Sequence, residues 1–301
     1  MGVRFGISIP PVATALADVL DMTRAAEDEG LDLVGIQDHP YAPEHGDAFG
    51  VLGPALAATN RITLYSGIAT MPLRRPSMLA EQAATLDLIS GGRFELGVGT
   101  GAFEEGALAL GGPRSRGAAA LRALSEGMEI IRSAWRPGQV VTVRGTEYTV
   151  AGLPGGPAPA HRMALWLGAI GPRALDLIGR AADGWVAPLP AWLPWEQWRN
   201  AQDRIDSAAL AAGRDPRAIT RMAALPGEIG DRALHPRPRG ADPIRGSAAE
   251  WAEIIAALHR NARFDTFIFW PPSLDVDQVR RFARDVVPAV RERLGEVAMA
   301  G

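Results

Sequence analysis

Short apolar stretches alternate with amphipathic helical stretches along nearly the whole chain. The first such unit is VRFGISI, residues 3–9, followed by a helix in which Leu16, Val19 and Ala26 share one face. Counting the units gives about eight strands in 301 residues, and nearly all of these strands are apolar on both faces. Parallel strands that are covered by helices have this composition. The sequence therefore predicts the α/β class, as a single-domain TIM-type (β/α) barrel over residues 1–301.

Two long segments rich in glycine and proline interrupt the alternation. Residues 101–117 follow the fourth predicted strand, and residues 226–246 follow the seventh. Loops of this length are often lids over a site. Because both segments follow the C-terminal end of a strand, where the active sites of such barrels lie, we expect them beside the functional site. A hairpin is predicted between them, about Arg144-Gly145.

The chain contains no lysine and no cysteine, and this narrows its chemistry. All 31 basic residues are arginine. Without lysine the chain forms no Schiff base with a substrate or pyridoxal cofactor, and without cysteine it has no disulfide, thiolate nucleophile or iron-sulfur site. Phosphate binding therefore falls to arginine and to backbone N–H groups.

Charge and hydropathy exclude several partners. The net charge of -3 comes from interspersed residues, so a nucleic-acid partner is not expected. No apolar run approaches the roughly 18 residues of a membrane span, and the start lacks a secretory leader, so a cytoplasmic protein without a membrane partner is predicted. His39, Glu44 and His45 lie close in sequence, but no third ligand has a recognisable spacing, and no metal is expected.

The glycines of RFELGVGTG allow three interpretations. Gly97, Gly99 and Gly101 formally fit a dinucleotide-binding motif, but no helix begins within the turn and no acidic residue follows at the end of a next strand. At a barrel rim the same glycines would let a flat ring or a phosphate approach the main chain. A plain tight turn is the alternative.

Two strand ends carry candidate chemistry. Asp38 and His39 follow the second strand, where an imidazole could transfer a proton near neutral pH. The alternative is an aspartate that caps a turn beside a histidine satisfied by the backbone. In GAIGPR, Pro172 and Arg173 begin a helix after the fifth strand, so that free N–H groups and a cation converge as in a phosphate site. An ordinary helix start is the alternative there.

These segments together resemble the bacterial luciferase-like flavin-dependent oxidoreductases. The most similar block is TNRITLYSGIATMPLRRPSMLAEQAATLDLISGGRFELGVGTG, and the likeness extends from FGISI and DHPY through ALWLGAIGPRALDLIGRAADGWV to DTFIFW. Members of this family are β/α barrels that use reduced FMN or the deazaflavin coenzyme F-420, and they often form homodimers. The resemblance implies an oxidoreductase with a small-molecule substrate, and a homodimer as its assembly.

The resemblance also implies roles for particular residues. It places Asp38 and His39 beside the cofactor ring as the catalytic pair, and it implies a non-proline cis peptide at the third strand, in Ser66-Gly67-Ile68. The family's glutamate after the fourth strand is Ala102 here, which leaves Glu104 or Glu105 as a second catalytic group or as solvated surface. The implied cofactor contacts are Asp38, Gly67, Ile68, Thr100, Gly101, Ala169, Ile170, Gly171, Pro172 and Arg173.

Several functions remain open at this point. GAIGPRAL and SGI resemble the deazaflavin branch, which implies a dehydrogenase or reductase that transfers hydride between coenzyme F-420 and a small organic substrate. Reduced FMN would imply a monooxygenase that uses molecular oxygen. A non-catalytic flavin-binding barrel is a further alternative. A phosphosugar isomerase or hydrolase on the same barrel would need a carboxylate base or metal cluster that the sequence does not offer.

Overall fold

Eight parallel strands pair in a closed ring in the computed structural model, which describes residues 2–101, 103–231 and 241–295. The strands are β1 (Arg4–Ile9), β2 (Leu33–Ile36), β3 (Thr63–Ser66), β4 (Ala69–Thr70), β5 (Phe94–Gly99), β6 (Val140–Arg144), β7 (Thr149–Pro154), β8 (Leu165–Gly168), β9 (Gly184–Ala187), β10 (Thr220–Ile229), β11 (Ile244–Gly246) and β12 (Thr266–Trp270). The helices are α1 (Leu16–Asp28), α2 (Ala48–Ala57), α3 (Pro76–Ser90), α4 (Glu104–Ala109), α5 (Gly117–Ala134), α6 (Pro172–Ala181), α7 (Trp198–Ala211), α8 (Ala248–Ala262), α9 (Val276–Arg281) and α10 (Val287–Leu294).

The ring runs β1, β2, β3, β5, β8, β9, β10, β12 and back to β1. Every pair in it is parallel, and the closing pair aligns Ile7 with Phe269. The strands are buried along almost their whole length, because helices cover them outside and side chains fill the ring inside. The α/β class and the closed TIM-type barrel are therefore confirmed.

The inside of the ring is a small, separate hydrophobic cluster. It is formed by Leu33, Tyr65, Trp166, Val186, Met222 and Ile268, one side chain from each of six strands. Burial raises the pKa of the Tyr65 hydroxyl far above its ordinary value, so this layer is neutral at any physiological pH. This layer fills the barrel interior, so it leaves no pore, and the functional sites of such barrels lie at the C-terminal ends of the strands.

The excursions after the fourth and seventh barrel strands lie where the sequence predicts them. The first contains the short helix α4 before α5 begins at Gly117. In the second, β10 extends to Ile229 and pairs with β11. Residues 232–240, which include the loop arginines Arg237 and Arg239, lie outside the described residues. The predicted hairpin is the antiparallel pair β6 and β7. Within the described ranges, no helix combines the length and the apolar character that a membrane crossing requires.

A charged cluster ties together the N-terminal ends of β5 and β8. His161 Nδ1 lies 2.9 Å from Asp87 Oδ1, and its Nε2 lies 3.3 Å from Glu95 Oε1. Glu95 also accepts a hydrogen bond of 2.6 Å from the backbone N–H of Ala164. Burial lowers the pKa of His161, but the hydrogen bond to fully buried Asp87 and the charge of Glu95 outweigh it, and the net pKa is raised.

Replacement of His161 by Gln should remove a pH-dependent contribution to stability. Because the pKa is raised in the folded state, the contribution is complete below the ordinary value of 6.5 and disappears as pH rises through the folded pKa. We expect His161→Gln to cost no more than about 1 kcal/mol near pH 6, since part of the ring stays exposed, and less near pH 8. Urea denaturation of both proteins at several pH values measures the difference. A difference that is constant with pH would contradict this account.

Candidate active site

The mouth of the barrel is formed by the connections after β2, β3, β5 and β8. These four connections carry every residue that the sequence analysis assigns to the site. Because neighbouring parallel strands end at the same edge, the connections are adjacent in the order in which their strands pair. The candidate residues are therefore brought to one end of the barrel, although they are spread over 136 positions, from Asp38 to Arg173.

The turn after β3 is the central feature of this mouth. The peptide bond between Gly67 and Ile68 is cis, as the resemblance implies. The N–H of Gly67 donates a hydrogen bond of 2.8 Å to the carbonyl oxygen of Ile36 in β2. Buried Ser66 donates from its hydroxyl to the carbonyl of Gly97 in β5 at 2.8 Å and accepts from the N–H of Gly97 at 3.1 Å. The turn is thus anchored to the strands on both of its sides.

Glycines in the neighbouring strands make room for this turn. A β-carbon on Gly97 would lie 2.2 Å from the carbonyl oxygen of Ser66, and one on Gly168 would lie 2.6 Å from Cδ1 of Ile68. One on Gly99 would contact Cγ2 of Ile68 at 3.7 Å. Gly97 therefore makes room for the β3 turn and Gly168 for the Ile68 side chain, whereas a β-carbon on Gly99 would make only ordinary contacts. The expectation that Gly97 leaves bare main chain for a ring or a phosphate is corrected. Ile68, half-buried, forms the floor of the mouth.

Thr100 and Gly101 end the β5 side of the mouth. Gly101 has a φ of +80°, a left-handed conformation that favours glycine. A β-carbon there would lie 3.1 Å from Cγ2 of Thr70. Both residues line a cavity of about 560 Å³ between α4 and the start of α5. They adjoin the floor, since Gly99 directly precedes them.

The carboxylate of Asp38 is fully engaged by protein donors. It is 1% exposed, and its Oδ1 lies 2.8 Å from Nη2 of Arg74. Its Oδ2 accepts hydrogen bonds from the backbone N–H of Thr70 at 2.9 Å and from Nε of Arg74 at 3.3 Å. The carboxylate is therefore neutralised by an arginine, and its contact with a cofactor stays a prediction.

His39 lies in a row of aromatic rings beside Asp38. Its ring centroid is 5.7 Å from that of Tyr41 and 6.1 Å from that of His45, and Tyr41 meets Phe103 of the β5 connection at 5.1 Å. Burial and the neighbouring His45 lower the pKa of His39 below its ordinary value, against the opposite effect of Asp38. The imidazole is therefore neutral near pH 7, and it can accept a proton.

The start of α6 is open to solvent. Gly171, Pro172 and Arg173 are exposed, Ile170 is 41% exposed, and the first turn of the helix has no acidic side chain. Buried Ala169 is held by β9, since its carbonyl accepts a hydrogen bond of 3.1 Å from Nε1 of Trp185. A helix N-terminus beside a cation suits a phosphate group, so these residues fit the phosphate site that the sequence predicts there.

The two glutamates of α4 differ. Glu105 is exposed, as expected, but the expectation of solvated surface is wrong for Glu104. The Glu104 side chain is 15% exposed and forms an ion pair with Arg116 across the cavity. Ala102, at the position of the family's glutamate, lies outside the described residues. Among the described residues, no group of three or more His, Asp or Glu side chains is arranged to hold a metal ion.

The sequence analysis missed Arg74, Tyr41 and Phe103. Arg74 contacts Asp38 directly, and the two aromatic residues extend the row that contains His39. Tyr41 lies two positions from His39, a spacing that was available as a signal. Nothing in the sequence distinguishes Arg74 from its neighbour Arg75, because only the fold brings Arg74 to Asp38.

Comparison with known proteins adds to this geometry. The sequence profile of the family described as luciferase-like monooxygenase matches residues 3–234. An F420-dependent glucose-6-phosphate dehydrogenase from Nakamurella multipartita is 34% identical over 191 residues, 61% of this chain and 56% of that protein. The match thus spans little more than half the length of that relative. A protein of the same name from Kineococcus radiotolerans is 28% identical over 313 aligned positions, 90% of this chain and 92% of that protein.

A solved structure extends the likeness to the whole fold. An F420-dependent secondary alcohol dehydrogenase, determined in complex with an F420-acetone adduct, matches with a TM-score of 0.84 and 20% sequence identity. The match covers 97% of this chain and 100% of that chain. At this identity the similarity concerns the fold, and it includes the closed barrel described above.

Replacement of Gly97 by Ala should destabilise the protein through the β3 turn. The new β-carbon would overlap the Ser66 carbonyl oxygen, at 2.2 Å, and neither backbone can move freely inside the sheet. We expect a loss of about 1–3 kcal/mol in the free energy of unfolding by urea denaturation. Gly50→Ala is the matched control in α2, where the nearest atom would be 3.7 Å away, and it should be neutral or stabilising by up to about 1 kcal/mol. Equal effects of the two substitutions would contradict the packing of the turn.

Proposed function

The chain belongs to the luciferase-like monooxygenase family, and from this premise we propose that it is an oxidoreductase that transfers hydride between coenzyme F-420 and a small organic substrate. The observation that carries the proposal is the Ile68 side chain over the glycines of β5 and β8, at the end of the barrel where the connection after β2 carries the neutral His39. An apolar floor suits a flat cofactor ring, and an imidazole suits a reacting alcohol or carbonyl, since its neutral form accepts the proton of the alcohol and its protonated form returns a proton to the carbonyl oxygen.

The residues present fit the deazaflavin. Its ring would lie on Ile68, and Gly67 would adjoin it. Its phosphate would be held by the exposed residues from Ile170 to Arg173, where the first turn of α6 offers N–H groups and a cation without an opposing acid. The bound cofactor supplies the hydride chemistry, and the protein supplies binding, orientation and the proton path.

The chemical role proposed for His39 is proton transfer at the substrate oxygen. In alcohol oxidation a hydride leaves the carbon for the cofactor, and the hydroxyl proton passes to a ring nitrogen of His39, which leaves a carbonyl product. In the reverse direction a hydride returns to the carbon and a proton returns from His39 to the oxygen. Because burial lowers its pKa, His39 is in the accepting form near pH 7. Asp38 adjoins it with its charge neutralised by Arg74, so the proposal gives Asp38 an orienting role.

Three further aspects, the domain count, the location and the assembly, are proposals that follow from the family. We propose that the chain is one domain and that it works in the cytoplasm as a homodimer. The helix α3 exposes Met78, Leu88 and Ile89, which supports a contact between copies on the outside of the barrel. The relatives named for glucose 6-phosphate act on a phosphorylated sugar, and that substrate is carried over here only as a candidate to be tested.

The proposal predicts which cofactor binds. Titration of the purified protein with coenzyme F-420, FMN and reduced FMN, followed by ring fluorescence, should show tight binding of the deazaflavin. Binding of reduced FMN with oxygen uptake would instead favour the monooxygenase. Binding of a cofactor without turnover on any alcohol, aldehyde or sugar would favour a non-catalytic barrel.

Replacement of His39 by Ala should separate binding from catalysis. The loss of the proton acceptor should reduce kcat by about 100-fold or more, while the Kd for the deazaflavin stays within a small factor of the wild-type value. Glu129→Gln, a change at an exposed position of α5, is the control and should leave both quantities unchanged. Wild-type turnover in the His39 variant would remove its proton role.

A further inference from the structure

One guanidinium fixes both ends of the segment that carries His39. Residues 38–47 form all but the first residue of the connection from β2 to α2, and this segment begins at Asp38 and ends at Asp47. Nη2 of Arg74 lies 2.8 Å from Oδ1 of Asp38 and 2.7 Å from Oδ2 of Asp47. Asp47 in turn caps α2, where its Oδ1 accepts from the N–H of Gly50 at 2.8 Å. Arg74 thus joins the end of a barrel strand to the start of the next helix.

The surroundings of Arg74 make this bridge rigid. The Arg74 side chain is 14% exposed, and its guanidinium carbon lies 4.5 Å from the centre of the Phe49 ring. Asp38 is almost fully buried. Ion pairs withdrawn from water interact more strongly than exposed pairs, and the removal of one partner leaves an uncompensated buried charge. Solvent therefore screens the pair of Arg74 with Asp38 only weakly, whereas Asp47, at 53% exposure, holds the other end of the segment through a pair that is closer to water.

The same bridge controls the charges around the His39 imidazole. The negative carboxylate of Asp38 favours a protonated imidazole, whereas burial and His45 disfavour it. Phe103, which directly precedes α4, contacts Tyr41, so α4 also packs near the segment. The other charged or titratable groups on these elements are Tyr41, Glu44, Asp47, Arg74, Glu104 and Glu105. Arg74 is the cation in direct contact with Asp38 among the described residues.

We propose that Arg74 is a positioning residue for His39, which clamps the two ends of the 38–47 segment and neutralises the Asp38 carboxylate beside the imidazole. The electrostatic part of this inference concerns the folded protein alone. Its catalytic part rests on the proposed function. Without Arg74 the Asp38 charge would be unopposed, and the imidazole would gain a proton at higher pH than in the wild type. A histidine that is protonated near neutral pH cannot accept a proton from a substrate.

The direct test is the pKa of His39 measured by NMR in the protein without cofactor or substrate. The chain has five histidines, and the His39→Gln variant identifies the resonance. In Arg74→Met the pKa of His39 should rise by roughly one unit, in Arg74→Lys it should rise less, and in Asp38→Asn it should fall. Arg75→Met is the matched control, since Arg75 is the exposed neighbour, and it should leave the pKa unchanged.

The double variant Arg74→Met with Asp38→Asn keeps the test decisive if the single variant is poorly folded. It leaves no unpaired carboxylate, so the pKa of His39 should return to the wild-type value or below it. An unchanged pKa in Arg74→Met, or an equal rise in Arg75→Met, would overturn the proposal. A pKa in the double variant as high as in Arg74→Met would overturn it as well, because the rise could not then come from Asp38.

Kinetics with the deazaflavin test the clamp separately. Arg74→Met should lower kcat at least about 10-fold, since small displacements of a catalytic group are costly, with little change in cofactor Kd. The pH at which kcat/KM reaches half its plateau should move upward with the NMR value. The double variant should restore that pH but not the full kcat, because Asp47 still lacks its partner. If the pKa of His39 shifts but neither the wild type nor any variant turns over substrate, the proposed function fails and the electrostatic inference stands. A full kcat in Arg74→Met would contradict the clamp.

Discussion

The mouth of this barrel depends on the contact between the β3 turn and the glycines of β5 and β8. The carbonyl oxygen of Ser66 occupies the place where a β-carbon of Gly97 would be, and the Ile68 side chain occupies that of Gly168. The Ser66 hydroxyl donates to the carbonyl of Gly97 and accepts from its N–H, and these two hydrogen bonds fix the arrangement. Close packing inside a closed sheet leaves no freedom for the turn to move, so Ile68 is a fixed floor over the filled barrel interior.

Around this floor the charges are divided between two sides. On the β2 side, Arg74 neutralises Asp38, and burial keeps His39 neutral. On the β8 side, the first turn of α6 and Arg173 offer N–H groups and a cation to solvent. A ligand with an apolar ring and an anionic tail is complementary to this division, and a reacting hydroxyl or carbonyl would meet the neutral side. The proposed hydride transfer follows from this arrangement more than from any single residue.

Much of the fold could be predicted from the sequence, because local patterns of apolar and polar residues determine the strands and helices. The alternation of apolar strands and amphipathic helices predicts eight parallel strands, and the segment around Pro172 lies at a strand end as expected. Gly67, expected within the third strand, instead follows its end at Ser66. The contacts that cross between strands could not be predicted in this way. Arg74 reaches an aspartate 36 positions earlier, and Gly97 is a glycine because of Ser66 in another strand. Glu104 was expected in solvent, since its partner Arg116 lies beyond a glycine-rich turn of no regular pattern.

The most direct test of the central claim is a crystal structure of the protein with coenzyme F-420 bound. The account predicts that the ring lies in van der Waals contact, about 3.5–4.0 Å, with the Ile68 side chain, with His39 at its edge and the phosphate at the first turn of α6. A ring bound elsewhere on the barrel, or an Ile68 side chain turned away from a ring seated in the mouth, would contradict it.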